Sequence, residues 1–473
     1  MLDAVVVGAG PNGLAAAITL ARAANSVLVL ERATTPGGGV CTGELTLPGF
    51  RHDVCSAIHP LAVASPFFRT LPLHEHGLEW VYPPASLAHP FDDGSAALLE
   101  RSVTATAAHL GMDGDAYGRL LDPLVEAGDM ILADILGPLR PPRAPLASGR
   151  FAISALFPAA QLARRRFRAE KARALFAGLS AHSTLPLERS PSAAFGLVLG
   201  LLGHVVGWPF PRGGAQALTD ALVTHLRSLG AKIECSTRID SLTELPAARA
   251  VLLDLTPKEI LRIAGDRLPP RYRRGLVRYR YGPGVFKLDL ALDSPIPWTA
   301  PECCRAGTVH VGGTLEQIAA SESAPGARRI PERPFVLVAQ QSLFDPTRAP
   351  RGKQTVWTYC HVPNGSTVDM TDRIERQIER FAPGFRERIL ARSTRGPREL
   401  QALNPNYVGG DINGGLPELR QLVTRPLARI DPYSTPVPGL YLCSSATPPG
   451  GGVHGMCGYW AAQSALRRSL ACR

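Results

Sequence analysis

Four groups of residues combine types and spacings that could do chemistry. The first is Gly8-Ala9-Gly10-Pro11-Asn12-Gly13, followed eighteen residues after Gly13 by Glu31 and then Arg32. Three glycines at this spacing allow a tight turn, close approach of backbone to a phosphate, and close seating of a helix on its strand. The helix N-terminus then offers N–H groups and partial positive charge to a pyrophosphate, and the acid can accept hydrogen bonds from a ribose diol. The second group is Pro36-Gly37-Gly38-Gly39, and the third is Lys287, one of only five lysines, in the alternating run 285–293. The fourth is Ser444-Ser445 with Gly450-Gly451-Gly452-Val453-His454 near the carboxyl end.

The elements needed to position these groups are legible from pattern. Ala4–Val7 reads as a short β-strand, Leu14–Ala24 as an Ala- and Leu-rich helix, and Ser26–Leu30 as the next strand. A helix over Ala217–Leu229 ends at Gly230, and strands are expected at Lys232–Cys235 and Val251–Leu255. Gly439–Cys443 reads as a strand and Cys457–Leu470 as the helix after the glycine loop. Strand, triplet, helix, strand and acid in register at the chain start point to dinucleotide binding.

With Glu31 and the glycine pair six and seven residues beyond it, the chain resembles the flavoprotein group that includes amine oxidases and phytoene desaturases. The resemblance implies FAD, with Gly8, Gly10, Pro11, Asn12, Gly13, Glu31 and Arg32 on the first phosphate and ribose and Gly37 and Gly38 on the second phosphate. Many members carry an Arg directly after that pair; here Gly39 stands there, so backbone must supply the contact. The resemblance also implies that Ile239 meets the adenine and that Ser445, Gly452 and Val453 approach the flavin, with His454 the nearest titratable side chain. A strand of similar spacing in amine oxidases carries a lysine near flavin N5, a place that Lys287 would take. The loop Asn404–Gly415 resembles one in the phytoene-dehydrogenase-like branch related to pyridine-nucleotide-disulfide-oxidoreductase-domain-containing proteins, and is expected near the flavin ring.

Composition sets outer bounds. At 473 residues, 45% hydrophobic and 19% charged, the chain suits a globular protein of interleaved domains. The net charge of +11 comes mostly from scattered arginines, and no nucleic-acid module accompanies it. Nine widely spaced cysteines, Cys472 among them, include no C-x-x-C, and no metal site is expected. The first strand begins at once, so a secretory signal is not expected and a cytoplasmic location is; the basic segment Arg164–Arg173 reads as a solvated face or, alternatively, as a peripheral contact to the inner membrane face.

Residues 54 to about 205 read as a helical insertion, with helical spacing over Leu98–Leu139 and Ile153–Leu187. The apolar stretch Ala193–Trp208 is too short to cross a bilayer. Gly196, Gly200, Gly203 and Gly207 would line one face of it, for tight helix packing or for the wall of a hydrophobic substrate tunnel. The run 285–293 reads as a half-buried strand with Lys287 and Asp289 on its polar side.

The fold class expected is α/β. A Rossmann-like FAD-binding domain with a parallel sheet would comprise residues 1–65, 206–265 and 425–473. A substrate-binding domain, a mixed antiparallel sheet plus helices, would comprise 66–205 and 266–424. The activity expected is hydride transfer between flavin N5 and a hydrophobic small molecule. Alternatives are an amine oxidase using Lys287 and a flavin-bearing interaction protein with little turnover.

Overall fold

The computed structural model describes residues 1–471 and is built on two sheets. Five parallel strands form the first, in the order Leu440–Leu442, Ala248–Leu253, Leu2–Val7, Val27–Leu30 and Lys232–Glu234. These strands come from the start, the middle and the end of the chain. Their buried residues are mostly β-branched or leucine, as expected where both faces of a parallel sheet are covered. Register brings Val7 beside both Leu30 and Leu253, and Leu253 beside Leu442. The strand C-termini therefore open at one edge, and the loops that follow them share a crevice.

Helix Pro11–Arg22 covers one face of this sheet with helix Met456–Arg468. The two approach so closely that a Cβ at Gly458 would lie 1.7 Å from the Asn12 carbonyl oxygen. Ile239 and the amphipathic helix Pro257–Ala264 cover the other face.

The second sheet has seven strands in the order Ile389–Arg395, Gly284–Leu292, Gln354–Val362, Val336–Ala339, Ala306–Val311, Ala85–Pro90 and Ala96–Leu99. All neighbours are antiparallel except Ala306–Val311 with Ala85–Pro90. One face carries Phe286, Leu288 and Leu290 against Met370, Ile374 and Phe381. The opposite face lies under a helical layer whose central member is Ser192–Val205.

Two expectations need correction, and of the two readings of the glycine row the tight-packing one holds. Leu98 and Leu99 belong to a strand, not to the start of a helical stretch: Ala85–Pro90 and Ala96–Leu99 pair as a hairpin around Asp92–Ser95. Their Ala- and Leu-rich sequences carry no alternation to betray them. The polar side of the Gly284–Leu292 strand does not face water; every residue of that strand is buried, with strands on both its sides and His52 over Asp289 on the polar face. Finally, the glycine row is a packing seam rather than a tunnel wall. A Cβ at Gly196 would lie 2.3 Å from Ser180 Oγ and one at Gly203 2.6 Å from Leu99 Cδ2, while Gly207 lies beyond the helix end.

Eight cysteines are free thiols, and Cys472 lies outside the described residues. Among the described residues no helix is long and apolar enough to cross a membrane.

Candidate dinucleotide site

The strand Leu2–Val7 delivers Gly8 to the open sheet edge, where its N–H donates to the Leu30 carbonyl at 2.8 Å. The next helix begins with Pro11, whose missing N–H costs nothing at a helix start. No side chain caps that helix at Gly10, and Asn12 Oδ1 is buried without a partner. Gly13 is obligatory: a Cβ there would sit 2.0 Å from the Gly8 carbonyl oxygen. Glu31 closes the second strand with both carboxylate oxygens engaged, one accepting the Ala9 N–H at 2.7 Å and the other the Ala33 N–H at 2.8 Å. Each oxygen retains a second lone pair. Arg32 donates to the carbonyls of Ala402 and Leu403 at 3.2 and 2.9 Å.

The second glycine turn is locked onto the first. Gly37 donates its N–H to the Ala9 carbonyl at 2.9 Å, and a Cβ at Gly38 would approach Gly10 Cα to 3.3 Å. Gly39 explains its own lack of a side chain, because the Tyr407 hydroxyl lies 2.0 Å from where its Cβ would be. The position that resembling proteins give to Arg is here ceded to a tyrosine from a distant loop.

Around the two turns lies a cavity of about 850 Å³, within the usual range for bound small molecules. Gly8, Gly10, Pro11, Asn12, Glu31, Arg32, Gly38, Gly39, Ile239 and Ser445 line it. Gly13 and Gly37 stand behind the lining and shape it from there. The loop Leu403–Tyr407 forms another wall, with Ile412 and Gly414 nearby. The chain's two ends meet at this cavity: the Asn12 amide donates to Ser445 Oγ at 3.4 Å.

Asp254 was not singled out from sequence, although it ends the strand beside the glycine turn. It lines the cavity, and its Oδ2 accepts the Gly13 N–H at 2.9 Å. Desolvation, opposed by that hydrogen bond and reinforced by the charge of Glu31, pushes its carboxyl up to about 7. A carboxylate one position past a strand in the middle of a parallel sheet was the available signal. Two of the cavity's three arginines are matched by carboxylates, and Arg32 donates to main-chain carbonyls. Arg238 pairs with Asp240 at 2.9 Å, and Arg262 pairs with Glu259 at 2.8 Å and with Asp240.

Other sequence-selected residues stand apart from the cavity lining. His454 does not face it: its Nδ1 accepts the Met456 N–H at 3.0 Å, and burial lowers its imidazole to about 4, so it is neutral and serves the helix start. Gly452 packs against Leu61 and His454, and neither it nor Val453 lines the cavity; Ser444, Ser445 and Ala446 do so instead. The glycine loop turns inward under the first helix before the last helix begins, which removes these residues from the crevice. Lys287 is buried, ion-paired with Asp289, and 5.7 Å from the Trp357 ring centroid. Desolvation depresses its ammonium and Asp289 opposes that shift. His52, 3.8 Å from Asp289, is driven down to about 3 by desolvation and by the charge of Lys287. This cluster approaches the cavity through Cys55, whose thiol bonds Tyr407.

Comparison with known proteins agrees with this construction. A family model described as an NAD(P)-binding Rossmann-like domain matches residues 6–71. Over 98% of its length the chain is 27% identical to pyridine nucleotide-disulfide oxidoreductase domain-containing protein 2 of Rattus norvegicus, covering 93% of that protein. It is also 27% identical to a phytoene dehydrogenase of Streptomyces griseus, over 84% of this chain and 79% of the relative. The solved structure of putrescine oxidase bound to putrescine aligns with a TM-score of 0.62 at 19% identity, covering 99% of each chain. The chain is thus similar in sequence, along most of its length, to a phytoene dehydrogenase and to a pyridine nucleotide-disulfide oxidoreductase domain-containing protein, and it shares the fold of putrescine oxidase. The two sheets carry that fold, with a dinucleotide-sized cavity at the parallel sheet's open edge beside the matched Rossmann-like segment.

Proposed function

We propose that the chain is an FAD-dependent oxidoreductase that moves a hydride between flavin N5 and a hydrophobic small molecule. The observation that carries this reading is the pair of interlocked glycine turns, Gly37 bonded to Ala9 and Gly38 set against Gly10, with Glu31 at one side. A dinucleotide that needs one turn would not require the second. FAD fits what is present: a helix start that its own N-cap glycine leaves without a side-chain cap, a partnerless Asn12 oxygen and a cavity reaching from Thr237–Ile239 to Ser444–Ala446.

When bound, FAD supplies the two-electron chemistry. The turns supply backbone donors to its phosphates, and Glu31 keeps lone pairs for the ribose diol. Ser445 supplies a hydroxyl, held by Asn12. The seven-stranded sheet and its helical layer exclude water with an aromatic interior that includes Trp208, Phe335, Trp357 and Tyr359. Purified protein with a flavin spectrum that bleaches on adding isoprenoid or polyketide lipids is the expected result. A colourless preparation indifferent to FAD would overturn the reading. Likeness to putrescine oxidase motivates amine oxidation as a second reading. The pairing of Lys287 with Asp289 away from the cavity lining weighs against it, and peroxide release on adding amines would restore it. A flavin-bearing interaction protein would leave flavin unreduced by either substrate class.

Peripheral membrane contact belongs to the same proposal and has its own support. Between residues 137 and 169 there are seven arginines and no carboxylate. On and beside helix Pro145–Ala155, Leu146, Ile153 and Leu156 form a stripe at helical spacing, exposed by 86%, 68% and 51%. Arg150 and Arg165 flank it, both exposed. An apolar stripe edged by cations suits an anionic lipid surface. Sedimentation with anionic vesicles, lost in Leu146→Glu/Ile153→Glu, is the expected outcome.

A further inference from the structure

At the helix start beside the cavity, one main-chain donor is already taken by a carboxylate. Gly13 N–H points at Asp254 Oδ2, 2.9 Å away, and a Cβ on Gly10 would meet the same oxygen at 2.9 Å. The glycine turn therefore carries an anion of its own. Ionised, Asp254 would oppose phosphates held on this turn, and no cation is among the charges that act on its carboxyl.

The groups around Asp254 are as follows. Glu31 faces it from the end of strand Val27–Leu30, on the other side of Leu2–Val7. Cys443 and Cys457 face it from the carboxyl-terminal strand and helix, and both thiols are raised by burial. The Asn406 amide donates to its main-chain oxygen at 3.2 Å. The glycine turn contributes no titratable group, and no cation stands among these neighbours. The carboxyl's ordinary value is raised to about 7 before any ligand adds negative charge.

We propose that Asp254 takes up a proton from solvent when a dinucleotide pyrophosphate seats on the glycine turn, and then donates a hydrogen bond to the phosphate instead of competing with it for the Gly13 N–H. This rests on the dinucleotide reading above and adds a property that reading does not require. The protonated carboxyl is both acceptor and donor, so it can keep Gly13 and reach the ligand at once. Because the bound state holds the extra proton, affinity is greatest at low pH. It declines as pH rises above the free carboxyl's value, by up to about tenfold per unit.

The test is dissociation of FAD from the holoprotein between about pH 6 and 9, read from the fluorescence of released FAD on dilution. Where release is below detection, the release midpoint in a urea series replaces it. The expected result is progressive weakening above about pH 7 in the native chain. In Asp254→Asn, an uncharged mimic of the protonated carboxyl, the profile is flat and FAD is retained at pH 8.5. Asp254→Ser keeps a non-titrating donor and replaces the Asn variant if that one fails to fold. A flat native profile, parallel native and variant profiles, or loss of FAD from a folded Asn variant would each overturn the proposal. Failure of the native protein to hold FAD at any pH would overturn the dinucleotide reading as well.

Discussion

The five-stranded sheet buries no charged side chain within its strands, and the two carboxylates at its cavity, Glu31 and Asp254, stand just past strand ends. The seven-stranded sheet instead carries Lys287, Asp289, His310 and His361 within its strands, all buried. In the first, chemistry is made from backbone at a sheet edge, and side chains need only stay out of the way. In the second, polar groups are satisfied by one another: Lys287 by Asp289, His361 by Glu322 at 2.6 Å, and His310 by His182 at 3.0 Å. The contrast teaches that the nucleotide half is limited by shape and the other half by charge balance.

That contrast can be broken most severely at Gly13. Gly13→Ala puts a Cβ 2.0 Å from a carbonyl oxygen, so FAD content should fall close to zero, read from the ratio of flavin to protein absorbance. If Gly13→Ala protein retains FAD, shape is not the limiting property of that half.

Charge balance is tested next. Asp289→Ala leaves the buried Lys287 ammonium without its partner, and urea unfolding should show a loss of roughly 3–5 kcal/mol. Removing both charges, Lys287→Met with Asp289→Leu, should recover most of it. Lys287→Met alone should leave FAD bound, and slowed flavin reduction or reoxidation in that variant would give the lysine a part in turnover.

The smallest expected effect is a pH dependence. Asp53 is buried against Arg348, with its Oδ2 2.7 Å from Nη2. Desolvation would raise its carboxyl, but Arg348 overcomes this and holds it below the usual value of 3.8. The stability this pair contributes is therefore complete above the unfolded value and is lost as pH falls through the folded one. Thermal melts should be insensitive to this group from neutral pH down to about 4 and should decline below that. Arg348→Met should abolish that part of the decline.

How much could be read from the chain follows the same division. The parallel strands, the glycine spacing and Glu31 are local patterns, and the strands appear within a few residues of where periodicity put them. Asp254 was overlooked because its importance depends on Gly13 lying beside it, 241 positions away. Lys287 and Asp289 looked like a wet strand face because alternation reports that two sides differ, not what covers the polar one. The Ala85–Leu99 hairpin escaped notice for a related cause: strands buried on both sides do not alternate. His454 stood in a promising loop, and only packing reveals that its imidazole turns back to the next helix.

The Tyr407 phenol resting where Gly39 lacks a side chain ties the loop Leu403–Tyr407 to the second glycine turn like a key in a slot. Residue 39 cannot grow unless residue 407 shrinks, so inherited changes at these two places should travel together. An engineer wishing to restore a cationic side chain beside the second phosphate must first take the tyrosine out.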